Sequence, residues 1–193
     1  MEDGFDEDFV TKTSTKHESD QSNQIYFYND VNRQTIFDLN KQIDAAEKHL
    51  KTIQIQYKLK TLPEIDIYIS TDGGEVFPAM STIDRIKYSE FNINTYVEGS
   101  VASCGTLLSI VGKKRYMRKN SFMLIHQISS GFWGNFSQFQ DEIQNLELLM
   151  KSIKKLYIEH TKFGEEELDK LLKRDIYLNS DDCLKYGLVD HII

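Results

Sequence analysis

The stretch GSVASCG, residues 99–105, consists almost entirely of small residues. A strand-like segment, residues 94–98, precedes it, and the apolar run TLLSIV, residues 106–111, follows it. A strand-to-helix turn here would place Ser103 at the start of a helix, where backbone N–H groups favour developing negative charge. Small neighbours would also let a substrate backbone approach the Ser103 hydroxyl. The stretch therefore predicts an α/β unit with a candidate nucleophile at its turn.

Apolar residues on both sides of this turn repeat with the periods of strands and helices. Strands are predicted at residues 25–28, 64–70, 94–98, 115–117 and 121–126, with a short strand closing the chain. Helices are predicted at residues 38–57, 78–88, 103–112, 134–160 and 165–173, with a one-turn helix capped by residues 180–182. Such alternation is typical of an α/β fold. The helix at 134–160 would be on the order of 40 Å long, longer than a small domain needs to cover its sheet.

Three further motifs carry groups that assist a serine nucleophile. The pair Gly73-Gly74 follows the strand predicted at 64–70, His126 ends the run SFMLIH, and Asp175 precedes the strand-like IYL. A histidine can take the hydroxyl proton, a carboxylate can orient that histidine, and glycine amides can stabilise an oxyanion. Together these residue types could form a Ser-His-Asp site with an oxyanion hole.

Each candidate also has a purely structural interpretation. Ser103 could be a small packing residue, and a lone histidine after an apolar run is usually a hydrogen-bonded core residue. Other carboxylates compete with Asp175: Asp181 and Asp182 are typical of helix-cap acids, and Asp190 of a terminal strand residue. The residue types alone leave these alternatives open.

In this order the four motifs resemble those of ClpP, the proteolytic subunit of Clp-type serine peptidases, over residues 25–193. That family has Ser-Pro-Gly-Gly after a strand, where this chain has STDGG at residues 70–74. Its Gly-x-Ala-Ala-Ser-Met-Gly-like segment matches residues 99–105, and its Met-Ile-His-Gln-Pro matches LIHQI at residues 124–128. Its Arg-Asp-x-x-Leu-Ser and Tyr-Gly-Leu-Val-Asp match RDIYLNS at residues 174–180 and YGLVD at residues 186–190.

The resemblance implies a role for each candidate residue. Ser103 would be the nucleophile, His126 the general base and Asp175 the residue that orients it. The N–H groups of Gly74 and Cys104 would form the oxyanion hole. The expected activity is that of a serine endopeptidase with polypeptide substrates, and neither a cofactor nor a metal ion is expected.

The resemblance also implies a fold and an assembly. The fold would be the ClpP/crotonase-like spiral of β-β-α units in residues 25–193, with the helix at 134–160 protruding as a handle. Handles would pack against one another where two heptameric rings stack into a tetradecamer that encloses a chamber. Since the chain has no Gly-x-x-x-x-Gly-Lys motif, any ATP-driven unfolding would come from a separate Clp-type AAA+ ATPase.

Four positions depart from the family pattern. Asp72 replaces the proline beside the glycine pair, Cys104 the methionine after the nucleophile, and Ile128 the proline after His-Gln. Glu98 stands where the family has a neutral residue. The family's N-terminal ATPase-docking signature has no clear counterpart. We expect the first three changes to affect rate or the substrate pocket.

Composition limits the other classes of function. Residues 1–24 carry seven acidic residues against two lysines and no apolar period, so an acidic, disordered tail is predicted. The chain has no basic stripe with interleaved aromatic residues and no run of 18 apolar residues, which argues against nucleic-acid binding and a membrane span. Two cysteines and an N-terminus without a secretory leader indicate the cytoplasm, or the host cytoplasm if the gene is carried by a phage.

Three other functions fit parts of the pattern. A crotonase-like acyl-coenzyme A enzyme would share the spiral fold, the oxyanion hole and the YGLVD ending. A ring subunit with a silent triad would fit the departures at Asp72 and Glu98. A Ser-Lys membrane peptidase would need a lysine base and a membrane segment, and neither is evident.

Overall fold

The computed structural model of the protein describes residues 22–193, which fold into a mixed α/β domain. The strands are β1 Gln24–Phe27, β2 Ile65–Thr71, β3 Ile93–Ala102, β4 Arg115–Met117, β5 Phe122–Leu124, β6 Tyr177–Asn179 and β7 His191–Ile192. The helices are α1 Arg33–Tyr57, α2 Val76–Tyr88, α3 Cys104–Ile110, α4 Phe136–His160, α5 Glu165–Leu172 and α6 Ser180–Lys185. The alternation of strands and helices predicted from the sequence is confirmed. Strand β1 begins one residue before the predicted domain boundary, and residues 1–21 of the predicted acidic tail lie outside the described residues.

Parallel strands form the main sheet, in the order β1-β2-β3-β4-β7. The long strand β3 pairs with two strands on one edge. Its residues 95–97 pair with β4, and its residues 100–102 pair with β5. Strand β6 then pairs antiparallel with β5. This arrangement brings the end of β5, and the loops after it, beside the end of β3.

The two faces of the sheet carry different side chains because successive residues of a strand point to opposite sides. Isoleucines of β1, β2 and β3 point into the core and are at most a few per cent exposed, for example Ile25, Ile67 and Ile93. The opposite face carries a row of stacked aromatic side chains. They are Tyr26, Tyr68, Tyr96, Tyr116 and His191, whose ring centroids lie 4.6 to 5.1 Å apart. Strand register places these residues opposite one another.

Among the helix starts that differ from the predictions, those of α1 and α6 are explained by a cap. Helix α1 begins at Arg33, five residues earlier than predicted, because the Asn32 side chain accepts hydrogen bonds from the N–H groups of Gln34 and Thr35. Helix α6 is capped by Asn179, which accepts from the N–H of Asp182, and not by Ser180 as predicted. The Ser180 hydroxyl instead donates to the Lys119 carbonyl oxygen.

Helix α4, the predicted handle, has 25 residues and is therefore about 37 Å long. Asn135 caps it by accepting a hydrogen bond from the N–H of Gln138. Residues near its end pack into the core, whereas apolar residues near its beginning are exposed. No helix among residues 22–193 combines the length and the apolar character needed to cross a membrane.

Candidate active site

Ser103 occupies the turn between β3 and α3 with a backbone conformation that few non-glycine residues adopt. Its φ is 54° and its ψ is −132°, which costs about 1–3 kcal/mol and is found mainly at functional sites. Hydrogen bonds hold the turn on both sides. The Ser103 N–H donates to the Leu124 carbonyl (2.8 Å), and the Ser103 carbonyl accepts from the Thr106 N–H (3.0 Å) and hydroxyl (2.6 Å).

The pair Gly73-Gly74 lies against this turn, and both positions require glycine. A Cβ at Gly73 would lie 2.6 Å from the Ser103 Cβ, and one at Gly74 would collide with the Val31 carbonyl. Two hydrogen bonds fix the pair: the Val31 N–H donates to the Gly73 carbonyl (2.7 Å), and the Glu75 N–H donates to the Val31 carbonyl (2.8 Å). The backbone at Gly73 therefore lies closer to Ser103 than a residue with a side chain would allow.

The amides of Gly74 and Cys104, predicted to form the oxyanion hole, both lie near the Cys104 sulfur. Burial raises the pKa of the Cys104 thiol to about 11, although both amides act in the opposite direction. The thiol is therefore protonated at neutral pH, which argues against Cys104 as an alternative nucleophile. Gly74, Ser103 and Cys104 line the same small cavity.

His126 and Asp175 are in direct contact. His126 Nδ1 lies 3.2 Å from Asp175 Oδ1. The pairing of Leu124 with Tyr177 in the antiparallel β5–β6 ladder brings the two residues together, since His126 follows β5 and Asp175 precedes β6. The Asp175 side chain is 79% exposed and that of His126 is 27% exposed, so solvent reaches this pair.

Two of the three competing carboxylates have other partners. Asp181 binds Lys119, with an Oδ1–Nζ distance of 2.9 Å. Asp190 accepts from the Arg115 Nε at 3.0 Å. Of the carboxylates weighed from the sequence, Asp175 is the one that the structure brings to His126.

Ser103 and His126 line the same cavity, whose volume is about 60 Å³. Among residues 22–193, however, no hydrogen bond joins the Ser103 hydroxyl to the His126 imidazole. His126 and Asp175 are therefore in contact, whereas Ser103 and His126 line one cavity without a hydrogen bond between them. Catalytic hydrogen bonds are often long before substrate binds.

The acidic departures from the family pattern lie away from this cavity. Asp72 is exposed to solvent. Glu98 lies on the sheet face that carries the stacked tyrosines, where it accepts hydrogen bonds from the Tyr28 hydroxyl and from Arg118 Nε (2.8 Å). Burial alone would raise the pKa of Glu98, but these two hydrogen bonds and the positive charge of Arg118 together outweigh it, and the pKa lies below its usual value. Neither carboxylate lines the cavity, whereas Ile128 does.

Sequence reasoning missed three residues around the cavity. Ile153 and Tyr157 line it but belong to the apolar stripe of α4, and Thr106 lies in the apolar run after Ser103. The Tyr157 and Thr106 hydroxyls are hydrogen-bonded to each other. The signal available in the sequence was a hydroxyl side chain, Thr106 or Tyr157, within each of two mainly apolar segments. Residues 22–193 contain no group of three or more histidine, cysteine or acidic side chains arranged to hold a metal ion.

A profile described as Clp protease matches residues 18–193 of the sequence. The chain belongs to the Clp protease family. The chain is 33% identical over 132 residues to the ATP-dependent Clp protease proteolytic subunit of Deinococcus radiodurans. That alignment covers 67% of this chain and 65% of the relative, so it spans just under two thirds of the relative's length.

The fold of this family member is also similar to a solved structure, that of a ClpP1 mutant from Listeria monocytogenes. The TM-score is 0.76 at 24% sequence identity, with 91% of this chain and 92% of the other covered. At this identity the similarity concerns the fold, and it agrees with the spiral α/β architecture expected from the motifs.

Proposed function

We propose that this Clp protease family member is a serine endopeptidase that hydrolyses peptide bonds with Ser103, His126 and Asp175. The observation that carries the proposal is the contact between His126 and Asp175 beside a strained serine that shares a cavity with the histidine. Membership of the family supports the same reaction class.

In the proposed reaction the Ser103 hydroxyl oxygen attacks the carbonyl carbon of the scissile peptide bond. His126 Nε2 accepts the hydroxyl proton, while its Nδ1–H donates to Asp175, which stabilises the resulting imidazolium. The carbonyl oxygen becomes negative and accepts hydrogen bonds from the Gly74 and Cys104 amides. Losing one such donor typically costs about 10²–10³ in rate.

The intermediate then collapses, and His126 returns the proton to the leaving amine. The product is an ester between Ser103 and the acyl half of the substrate. Water, activated by His126, hydrolyses this ester and restores the serine. Substrate binding would draw the imidazole and the hydroxyl into hydrogen-bonding distance.

The proposed assembly is two stacked heptameric rings joined through α4. Support comes from the apolar side chains exposed on the first half of that helix, because exposed apolar patches of this kind mark interfaces. A separate Clp-type ATPase would deliver polypeptides in the cytoplasm, as the word "ATP-dependent" in the name of the Deinococcus relative suggests.

A fluorophosphonate probe tests the hydrolytic serine. The serine oxygen bonds to phosphorus and fluoride leaves, so mass spectrometry of the intact protein and its peptides locates the adduct. We expect labelling at Ser103 in the wild type and none in Ser103→Ala. His126→Ala and Asp175→Asn should label far more slowly. Ser100→Ala, at a nearby serine of β3, is the matched control and should label like the wild type.

A catalytically silent ring subunit is the second candidate. The missing hydrogen bond between Ser103 and His126 within the described part of the chain favours it. Folded, assembled protein that resists the probe would establish this alternative, and a crotonase-like enzyme would give the same negative result. Labelling that persists in Ser103→Ala would refute the assigned nucleophile.

A further inference from the structure

Part of the wall of the cavity beside Ser103 is apolar, which peptide hydrolysis itself does not require. This part is formed by Val76, Leu107, Ile128, Ile153 and Tyr157. We propose that this cavity receives the side chain of the substrate residue whose carbonyl Ser103 attacks, and that it selects a short aliphatic side chain over an aromatic one. This inference rests on the proposed function and adds its substrate class. Tyr157 and Ile153 of α4 are the specificity-determining residues.

The volume of the cavity sets the size of the side chain. An engineered apolar cavity of roughly 150 Å³ in a protein core binds a benzene molecule. The cavity beside Ser103 has a volume of about 60 Å³, less than half of that. A methyl or isopropyl group therefore fits, and a phenyl ring does not unless the walls move.

Hydrogen bonds fix the Tyr157 wall in place. The Thr106 hydroxyl has one proton, which it donates to the Ser103 carbonyl at 2.6 Å. The Tyr157 hydroxyl must therefore be the donor in its bond to Thr106. Burial raises the pKa of Tyr157 far above its usual value, although the bond to Thr106 acts against this, so the phenol keeps its proton.

Moving Tyr157 aside would leave its buried hydroxyl unpaired, which is more costly than losing an exposed hydrogen bond. Ile153 lies one helical turn before Tyr157 and is 5% exposed, so the core holds both walls. The cavity is consequently a rigid pocket, and its size discriminates between substrates.

Peptidyl diphenyl phosphonates with alanine, valine or phenylalanine at the reacting position measure this selection. Ser103 bonds to phosphorus and phenol leaves, taking up the serine proton by way of His126, so labelling rates do not depend on turnover. We expect the alanine and valine probes to label wild type at least about 10-fold faster than the phenylalanine probe, since one methylene in an apolar pocket changes rates by about 10- to 200-fold.

Ile153→Ala should widen the pocket and raise the rate of the phenylalanine probe relative to valine by at least about 10-fold. Ile86→Ala is the matched control, because Ile86 is also 5% exposed but does not line the cavity. Its probe preference should equal that of wild type. If Ile153→Ala does not fold, Ile153→Val should shift the preference in the same direction by a smaller factor.

The fluorophosphonate probe separates the two proposals. If it labels Ser103 while the phenylalanine and valine phosphonates react equally fast, the size selection is wrong and the hydrolytic serine stands. An unchanged preference in folded Ile153→Ala and Ile153→Val would likewise overturn the inference. If no probe labels folded, assembled protein, the proposed function fails and the inference fails with it.

Discussion

The two halves of α4 have similar apolar spacing but different surroundings. In the inner half, residues 149–160, Ile153 and Tyr157 are buried in the core and border the Ser103 cavity. The outer half, residues 136–148, exposes Phe136, Ile143 and Leu148. Both halves place apolar residues at three- and four-residue spacing, which shows that periodicity identifies an apolar face but not what covers it.

The difference also concerns hydrogen bonding. Hydrogen bonds connect the inner half to the rest of the protomer. The Tyr157 hydroxyl bonds to Thr106, and the Arg115 guanidinium donates to the carbonyl of His160, the last residue of the helix. The outer half has an N-cap and apolar side chains in solvent. We infer that the inner half belongs to the folding of one protomer and the outer half to assembly.

The largest contrast should come from placing the same charge in each half. Ile153→Asp buries an unpaired carboxylate, which costs at least about 3–5 kcal/mol of folding free energy, so urea unfolding should show a protomer that is barely folded or unfolded. Ile143→Asp, at a residue 55% exposed, should keep the circular dichroism spectrum of wild type. In size-exclusion chromatography it should elute later, as a smaller species.

An Ile143→Asp protein that unfolds like Ile153→Asp would remove the distinction between the halves. The same holds if Ile143→Asp assembles as wild type does. Ile143→Ala serves as the control for lost side-chain volume without charge, and it should weaken assembly less.

A smaller effect is expected at the link between the inner half and Ser103. Thr106→Val removes the donor to the Ser103 carbonyl and the acceptor for Tyr157, so the free energy of unfolding should fall by about 1–3 kcal/mol. Because the Ser103 turn is strained, the kcat of peptide hydrolysis should fall while KM changes little.

Adding Tyr157→Phe to Thr106→Val separates the effect on stability from the effect on catalysis. The double variant removes both hydroxyls of the Thr106–Tyr157 hydrogen bond, so much of the stability should return. Its kcat should stay low, because the Ser103 carbonyl still lacks its hydroxyl donor. Recovery of kcat in the double variant would mean that Thr106 has only a structural role.

The anchoring of the inner half should depend weakly on pH. Burial would raise the pKa of Asp190, but its hydrogen bonds and attraction to Arg115 outweigh burial and hold the pKa below its usual value. The resulting stability is present above about pH 4 and is lost as the pH falls through the lowered pKa. Since this pair is partly exposed, Asp190→Asn should cost under about 1 kcal/mol at neutral pH.

Urea titrations between about pH 7 and pH 3 measure this difference. The difference in the free energy of unfolding between wild type and Asp190→Asn should become smaller as the pH falls. A difference that is constant across this range would show that the charge of Asp190 contributes nothing to the anchor.

The smallest expected effect is spectroscopic. Trp133 is the single tryptophan of the chain, lies just before α4 and is 97% exposed. If another copy of the chain covers the outer half, the emission maximum of Trp133 should lie at shorter wavelength in the assembly. It should move to longer wavelength when dilution dissociates the assembly. Ile143→Asp should show the longer-wavelength maximum at every concentration. A wild-type spectrum that never changes would argue against burial of this region.

Much of the fold follows from local pattern. Isoleucines at alternate positions predict β2, and apolar residues at helical spacing predict α4, because these periods depend on neighbouring residues alone. The start of α1 was missed although Ile36 continues the apolar spacing, because the capping side chain of Asn32 decides where the helix begins. The Ser-His-Asp assignment remains a prediction, although the structure brings His126 and Asp175 into contact.

By itself the sequence determined the order of elements, the long helix before His160 and four motifs in the order of a known family. The tertiary structure decided which carboxylate meets His126, which half of α4 is covered, and that Tyr157 reaches Thr106 across 51 residues of chain. The reason is that periodicity and capping act within a few residues. Contacts between distant segments depend on how the sheet is ordered and on which face each helix buries.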